Sequence, residues 1–109
     1  LTESEMYAAG TVASIYPGAL VMDAIYTLAF ANNPQASVTA ISYSDVQTEF
    51  KGIRGMLLLR ADAVNGWLYA SGGDFGYRTA FSSDIYQSLD SGGFNLVYDN
   101  GTARAYFKP

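Results

Sequence analysis

Carboxylates provide most of the reactive side chains of this chain, because it contains neither histidine nor cysteine. Without those residues neither a Ser-His-Asp nor a Cys-His arrangement can form, and zinc sites built from them are excluded. A serine–lysine pair is formally available, but neither Lys51 nor Lys108 lies in a nucleophile motif. The sequence therefore predicts no catalytic residues, and we expect a protein that is not an enzyme.

Acidic and glycine-rich residues that could act as ligands lie near one predicted turn. Asp62 and Asp74 flank this turn, but nothing fixes the separation that a glycosidase pair requires. With Asn65 they also supply oxygen ligands for calcium, yet their spacing does not fit the EF-hand loop. The glycine-rich residues 72–76 lack the spacing of a nucleotide-binding fingerprint. We interpret all of these as solvated loop positions and predict no metal and no cofactor.

Aromatic residues that accompany arginine are the most informative binding candidates. Trp67 and Tyr69 are predicted on one non-core strand face, and Tyr106 beside Arg104 on another. Tyrosine, tryptophan and arginine are enriched at the centres of interfaces. We therefore predict that Trp67, Tyr69, Arg104 and Tyr106 are binding or interface positions. Coverage of these side chains by the chain's own helix or loops is the alternative, and stacking on sugar rings also stays open.

Two helical stretches are predicted at the N-terminal end. Thr2 and Glu5 fit a capping box, which begins a helix that extends to about Tyr16. Pro17-Gly18 breaks or kinks this helix. A second apolar stretch follows over residues 19–31. Because thirteen residues are too few to span a bilayer as a helix, membrane insertion is not expected.

Two β-hairpins are predicted around Asn65-Gly66 and Asn100-Gly101, because Asn-Gly favours the tight type I′ turn. With these turns, residues 56–71 and 94–107 each form a hairpin with one apolar face. The first apolar face contains Leu57, Leu59, Ala61, Ala63, Leu68 and Ala70. The second contains Phe94, Leu96, Tyr98, Ala103, Ala105 and Phe107.

The remaining segments complete the predicted fold. Residues 37–44 are typical of a strand, and a short helix is expected from Ser82 or Ser83 to Leu89. We therefore predict an α+β fold with a single domain over residues 1–109. Its N-terminal helix, or kinked helix pair, packs on a mostly antiparallel sheet that contains two β-hairpins.

Composition limits the classes of partner. Ten acidic residues against six basic residues give a net charge of −4, and only Lys51 and Arg54 among the bases are close in sequence. No basic stripe is available for phosphates, so nucleic acid is not an expected partner. Half of the residues are apolar and only 15% are charged, which suggests that another subunit covers some aromatic surface. The first residue, Leu1, is not methionine, so we expect a chain that is processed, trimmed or a fragment of a longer protein, and processing would fit a secreted or assembled protein.

The N-terminal residues resemble those of mature type IV pilins. Leu1, Thr2 and Glu5 occupy the positions of a hydrophobic first residue, a common threonine and an assembly glutamate in that family. A long N-terminal helix followed by an antiparallel sheet is also similar. Glu3 and Asp23 depart from the family's almost charge-free helix, so the resemblance illustrates a class of function and does not assign the family.

The leading functional hypothesis is a non-catalytic structural subunit of an extracellular assembly, such as a virion component or surface filament. We expect this tyrosine-rich chain to self-associate into a homo-oligomer through aromatic sheet faces and the N-terminal helix. Its partners are copies of itself or other subunits, and its expected location is extracellular or in a virion. The alternative is a monomeric binding module that recognises a protein or glycan through Trp67 and Tyr69.

Overall fold

The computed structural model describes residues 2–16, 18–30, 37–66, 68–70, 77–81 and 84–109. These residues confirm the α+β architecture. Their helices are α1 (Glu3–Ile15), α2 (Ala24–Phe30), α3 (Tyr43–Gln47), α4 (Ala61–Asn65) and α5 (Ile85–Ser91). Their strands are β1 (Leu20–Met22), β2 (Val38–Ala40), β3 (Gly55–Arg60), β4 (Leu68–Ala70), β5 (Tyr77–Thr79), β6 (Asn95–Asp99) and β7 (Ala103–Lys108).

The main sheet is mixed and has the strand order β2-β1-β3-β7-β6. β1 lies parallel to both β2 and β3, whereas β7 lies antiparallel to both β3 and β6. A separate antiparallel pair is formed by β4 and β5. Parallel neighbouring strands need a connection that returns the chain to the same end of the sheet. The segments containing α2 and α3 provide these connections. The sheet is therefore less antiparallel than predicted.

Both faces of the main sheet are covered, which explains the continuous apolar run of β3. Met56 and Leu58 belong to one hydrophobic cluster, and Leu57 and Leu59 belong to the other. Successive strand residues point to opposite faces, so a central strand that is buried on both faces must be apolar throughout. The first cluster includes Ala8, Ala9 and Val12 of α1 together with Ala103 and Ala105 of β7. The predicted packing of the N-terminal helix on the sheet is thus confirmed.

The predicted hairpin over residues 56–71 does not form. Ala61–Asn65 is helix α4, β3 pairs with β1 and β7, and β4 pairs with β5. Gly66 is the C-cap of α4 and does not close a two-residue turn. Local turn chemistry favoured a hairpin, but the long-range pairing of β3 with β7 occupies the edge that the hairpin would have used. Most of the predicted apolar face is nevertheless buried in one cluster, namely Leu57, Leu59, Ala63, Leu68 and Ala70.

The second predicted hairpin is present with a different register. Tyr98 pairs with Ala105, two residues beyond the predicted Ala103, and the register shifts between Leu96 and Tyr98. The turn is stabilised by Asn100, whose side-chain Oδ1 accepts hydrogen bonds from the backbone of Thr102 and Ala103, each at 3.0 Å. The backbone N–H of Asn100 also donates to Ala103 O at 3.2 Å, so the turn is centred on Gly101 and Thr102, one residue beyond its predicted position. A β-bulge between Leu96 and Tyr98 then shifts the pairing by one residue.

The N-terminal prediction holds for α1 and fails for part of the next segment. Thr2 caps α1, and Glu5 completes the predicted capping box. The stretch 19–31 begins with strand β1, because its β-forming residues pair on both sides, and only then becomes α2. No helix in the described residues is long and apolar enough to cross a membrane.

Two shorter predictions are adjusted. The strand predicted over 37–44 is β2, which ends at Ala40, because Ser42 forms a capping box with Asp45 and begins α3. The short helix near residue 85 is α5, capped by Asp84, whose Oδ1 accepts from the backbone N–H groups of Tyr86 and Gln87. Ser82 and Ser83, the predicted caps, lie outside the described residues.

Candidate functional site

The four predicted interface residues lie in different surroundings. Trp67 is outside the described residues. Tyr69 lies in β4 opposite Arg78 of β5, but neither side chain is among those described. Arg104 and Tyr106 lie on β7, where their side chains contact each other and helix α5. Only this last pair is brought together by the described residues.

Tyr106 is buried, so the prediction that its side chain points outward is wrong. Its exposed fraction is 1%, and its ring stacks on Tyr86 of α5 with centroids 6.1 Å apart. The coverage comes from α5, which packs on this face of the sheet and contributes Ile85 and Leu89 to the same cluster. The alternative given by the sequence, coverage by the chain's own helix, is the arrangement found for Tyr106.

Arg104 is partly exposed and bridges the edge of this packing. Its guanidinium lies 4.1 Å from the ring centroid of Tyr86, and its Nε is 3.2 Å from Oδ2 of Asp99. A hydrogen bond that Arg104 donates to the Tyr106 hydroxyl raises the pKa of Arg104, with smaller contributions from neighbouring groups. Burial raises the pKa of Tyr86 although the charge of Arg104 opposes this. These contacts fix the packing of α5 on β7 and leave little of the pair free for a partner.

A buried charged cluster lies at the carboxyl ends of the parallel strands β1 and β3. It consists of Glu5 in α1, Asp23 directly after β1, Tyr26 in α2 and Arg60 at the end of β3. Arg60 Nε is 2.7 Å from Asp23 Oδ2, and Arg60 Nη1 is 3.5 Å from Glu5 Oε2. Glu5 and Asp23 are almost fully buried. We call these four residues the Arg60 cluster.

Hydrogen bonds complete the Arg60 cluster. The Tyr26 hydroxyl donates to the backbone oxygen of Glu5 at 2.6 Å, and Asp23 Oδ1 accepts from the backbone N–H of Tyr26. Glu5 Oε1 accepts from the backbone N–H of Thr2 at 2.7 Å. Within the described part of the chain, every buried polar side-chain atom has a hydrogen-bond partner. The cluster therefore connects α1, α2 and the sheet through buried polar contacts.

The pKa values of Glu5 and Arg60 are shifted in the directions that keep both residues ionised. Burial alone would raise the pKa of Glu5, but hydrogen bonds from Thr2 and the charge of Arg60 outweigh burial and lower it. Burial opposes the charge of Arg60, yet its hydrogen bond and attraction to Asp23 raise the pKa of Arg60. Burial, reinforced by the charge of Glu5, raises the pKa of Tyr26 far above its ordinary value. The tyrosine is therefore a neutral hydrogen-bond donor at physiological pH.

The opposite side of α1 is an exposed face that carries few charges. Tyr7 is 70% exposed and Ile15 is 64% exposed, and Gly10 is exposed between them. We define the α1 outward face as Glu3, Met6, Tyr7, Gly10, Thr11, Ser14 and Ile15. A solvent-facing helix surface normally carries charged residues, and here Glu3 is the only one.

Sequence reasoning missed both of these features. The signal for the Arg60 cluster was Asp23, a single acid in the apolar stretch 19–31, which needed a cationic partner once buried. The signal for the α1 outward face was the low number of charged residues in α1, which are Glu3 and Glu5 alone. Neither signal identifies the partner elements that bring Arg60 and Glu5 together.

Comparison with known proteins adds no family assignment: no family model, no curated protein and no solved structure matches the chain.

Proposed function

We propose that the protein is a non-catalytic structural subunit that self-associates within an extracellular assembly, such as a virion or a surface filament. The observation that carries this proposal is the α1 outward face, which exposes Met6, Tyr7 and Ile15 together. Large apolar side chains that share one face of a helix are typical of surfaces that another molecule covers. A second copy of the chain is the occupant that we propose.

The charge distribution supports a second copy as the occupant. Each chain has a net charge of −4, so two copies repel unless they meet where charge is low. Along α1, Glu5 is buried and paired with Arg60, and Glu3 lies at the first residue of the helix. The remaining outward positions are uncharged, which makes this face suitable for contact between two acidic copies.

The spacing along the α1 outward face also suits a two-fold contact. Tyr7 precedes Gly10 by three residues, and Ser14 follows Thr11 by three residues. An antiparallel pair of α1 helices related by a two-fold axis near Gly10 and Thr11 therefore brings the large Tyr7 of one copy next to the small Ser14 of the other. The exposed Gly10 lets the two backbones approach closely at the centre.

The test is the oligomeric state of the wild-type chain and of Tyr7→Glu, measured by light scattering and sedimentation over a concentration series. We expect concentration-dependent association of the wild-type chain and at least a tenfold weaker association of Tyr7→Glu, because the new charge must be buried. Leu28→Glu is the matched control, since Leu28 is an equally exposed apolar residue on α2. Its association should remain close to that of the wild-type chain.

A wild-type chain that stays monomeric at millimolar concentration would refute the proposal. Equal weakening by Tyr7→Glu and Leu28→Glu would indicate non-specific apolar contact instead of a defined α1 interface. The alternative function, a monomeric module that binds a protein or glycan through Trp67 and Tyr69, makes the opposite prediction. In that case Trp67→Ala removes ligand binding and leaves the oligomeric state unchanged.

A further inference from the structure

Helix α3 ends in an unusual position for a glutamate. The backbone N–H of Glu49 donates to Val46 O at 3.2 Å, and that of Phe50 donates to Asp45 O at 2.9 Å. These two bonds form the Schellman motif, in which the residue after the C-cap takes a left-handed conformation and is usually glycine. Here Glu49 occupies that position with φ 53°, and Phe50 follows with φ 62°.

The two left-handed residues have different explanations. Phe50 is fully buried in the hydrophobic core, so its side chain contributes packing that offsets its backbone conformation. Glu49 is only partly buried and belongs to neither hydrophobic cluster. Its carboxylate instead accepts a hydrogen bond from the Ser88 hydroxyl of α5. A glycine would satisfy the backbone with less strain, so the carboxylate itself is the feature that a glycine could not replace.

Glu49 lines two neighbouring cavities at the surface. One has a volume of about 240 Å³ and is also lined by Lys51, Ser88, Ser91 and Phe94. The other has a volume of about 150 Å³ and is also lined by Tyr43, Gln47, Thr79 and Phe81. We call the pair of cavities the Glu49 groove. Each cavity is smaller than the roughly 300 Å³ at which sites for drug-sized ligands begin, so each suits a single ring-sized group.

We propose that the Glu49 groove binds a short neutral saccharide, with one sugar unit on each side of Glu49. Hydroxyl groups both donate and accept hydrogen bonds, as do the serine, threonine and tyrosine hydroxyls and the Gln47 amide that line the groove. A carboxylate accepts from two neighbouring sugar hydroxyls at once, and the partly buried ring of Phe81 offers an apolar contact to one face of a sugar. This site does not depend on the self-association of α1.

The charge of the groove favours a neutral ligand over an ion. Among its described lining residues the charged side chains are Glu49 and Lys51, and their formal charges cancel. An anion would face the carboxylate of Glu49, and a cation would face the ammonium group of Lys51. A neutral ligand with several hydroxyls can instead accept from the ammonium group and donate to the carboxylate.

The experiment follows backbone amide NMR signals of the ¹⁵N-labelled chain during titration with methyl α-glucoside, methyl β-glucoside, maltotriose and cellotriose. We expect at least one of these sugars to shift signals around Glu49 and Ser88 at millimolar concentration. Glu49→Gly should reduce the affinity roughly tenfold or more, because hydrogen bonds to a charged group are lost. The melting temperature of Glu49→Gly should stay close to that of the wild-type chain, because relief of the left-handed backbone offsets the loss of the hydrogen bond from Ser88.

Asp62→Asn is the matched control, because it removes the same charge at an exposed residue that lines neither cavity of the groove and should bind sugar like the wild-type chain. The proposal is overturned if none of the four sugars shifts these signals at tens of millimolar, or if the shifts lie elsewhere. It is also overturned if Glu49→Gly binds as tightly as the wild-type chain. A clear fall in the melting temperature of Glu49→Gly would instead show that Glu49 is retained for stability. Equal shifts from acetate or methylammonium would overturn the assignment to a neutral ligand.

Discussion

Arg60 connects three elements that are far apart in sequence. Its guanidinium contacts Glu5 of α1 and Asp23 at the start of α2, while its backbone ends β3. Two carboxylates this deeply buried need a cation nearby, because removing either charge from water is costly unless the charge is paired. The Arg60 cluster therefore fixes the position of α1 over the sheet as well as balancing charge. The outward face of α1 is held in a defined orientation as a result.

The lowered pKa of Glu5 predicts how stability depends on pH. Because the folded chain lowers this pKa below its ordinary value of 4.5, Glu5 stabilises the fold above about pH 4.5. This contribution is lost as the pH falls through the lowered pKa. Glu5→Gln keeps a side chain that can complete the capping box but removes the charge. We therefore expect its melting temperature to fall less steeply than that of the wild-type chain between about pH 5 and pH 3.

Thermal unfolding across this pH range measures the effect, with Glu3→Gln as the control on the same helix. Glu3 is exposed, and none of the ion pairs in the described residues includes it. Its substitution should therefore leave the acid dependence of stability unchanged. Parallel curves for the wild-type chain and Glu5→Gln would show that Glu5 does not contribute to acid unfolding.

At the scale of the element, two glycines have opposite structural requirements. Gly10 lies inside α1, and a Cβ added there meets no atom within 4 Å. Gly101 lies in the turn between β6 and β7 with φ +88°, where an L side chain is strained whatever space is available. The first glycine is therefore unfavourable for its helix, and the second is required by its turn.

These requirements predict changes of opposite sign. Gly10→Ala should raise the free energy of unfolding by up to about 1 kcal/mol, because alanine has the higher helix propensity. Gly101→Ala should lower it by about 1–2 kcal/mol, because alanine is strained in the left-handed region. Urea unfolding at low protein concentration measures both. A change of the same sign for both variants would contradict this account.

Elements that are specified by neighbouring residues were predictable from the sequence. Thr2 and Glu5 define the start of α1 within four residues, and the turn near Asn100 separates two strands that pair with each other. Elements that depend on distant partners were not predictable. Residues 20–22 are apolar and lie in a helical context, and they become β1 only because β2 and β3 flank them.

The same distinction applies to the candidate sites. The sequence correctly places Tyr106 and Ala105 on opposite faces of β7, but it does not reveal that α5 covers the face that carries Tyr106. Glu49 gave no signal, because its importance depends on a left-handed backbone and on Ser88, which lies 39 residues away. Local patterns identified the faces of strands, whereas the identity of the covering element required the three-dimensional arrangement.

At the scale of the whole molecule, net charge and apolar contact act in opposite directions on self-association. Two copies that meet through α1 bring net charges of −4 together, and salt screens this repulsion over about 10 Å at 0.1 M. The proposed α1 contact has Glu3 as its one charged residue, so it would contain no ion pairs for salt to weaken. We therefore expect association to strengthen by several-fold between about 10 mM and 150 mM sodium chloride, measured by sedimentation. Weaker association at the higher salt concentration would indicate an interface held by ion pairs instead.

The edge strand β6 is poorly suited to pairing with a strand of another copy. Leu96 and Val97 are about half exposed there, but the bulge between Leu96 and Tyr98 interrupts a regular ladder. Bulges and irregular edges disfavour strand-to-strand pairing between copies. This supports contact through α1 over extension of the sheet at β6.

The position of β7 has a consequence for how the protein is made. β7 ends at Lys108, yet it lies between β3 and β6 in the interior of the sheet. On the ribosome, β3 lacks its antiparallel partner until synthesis has passed Lys108 and this segment has left the exit tunnel. Until then one edge of β3 has no neighbouring strand. Folding of this domain therefore follows its translation, and a nascent chain stalled before Ala103 is a substrate for chaperones or proteases.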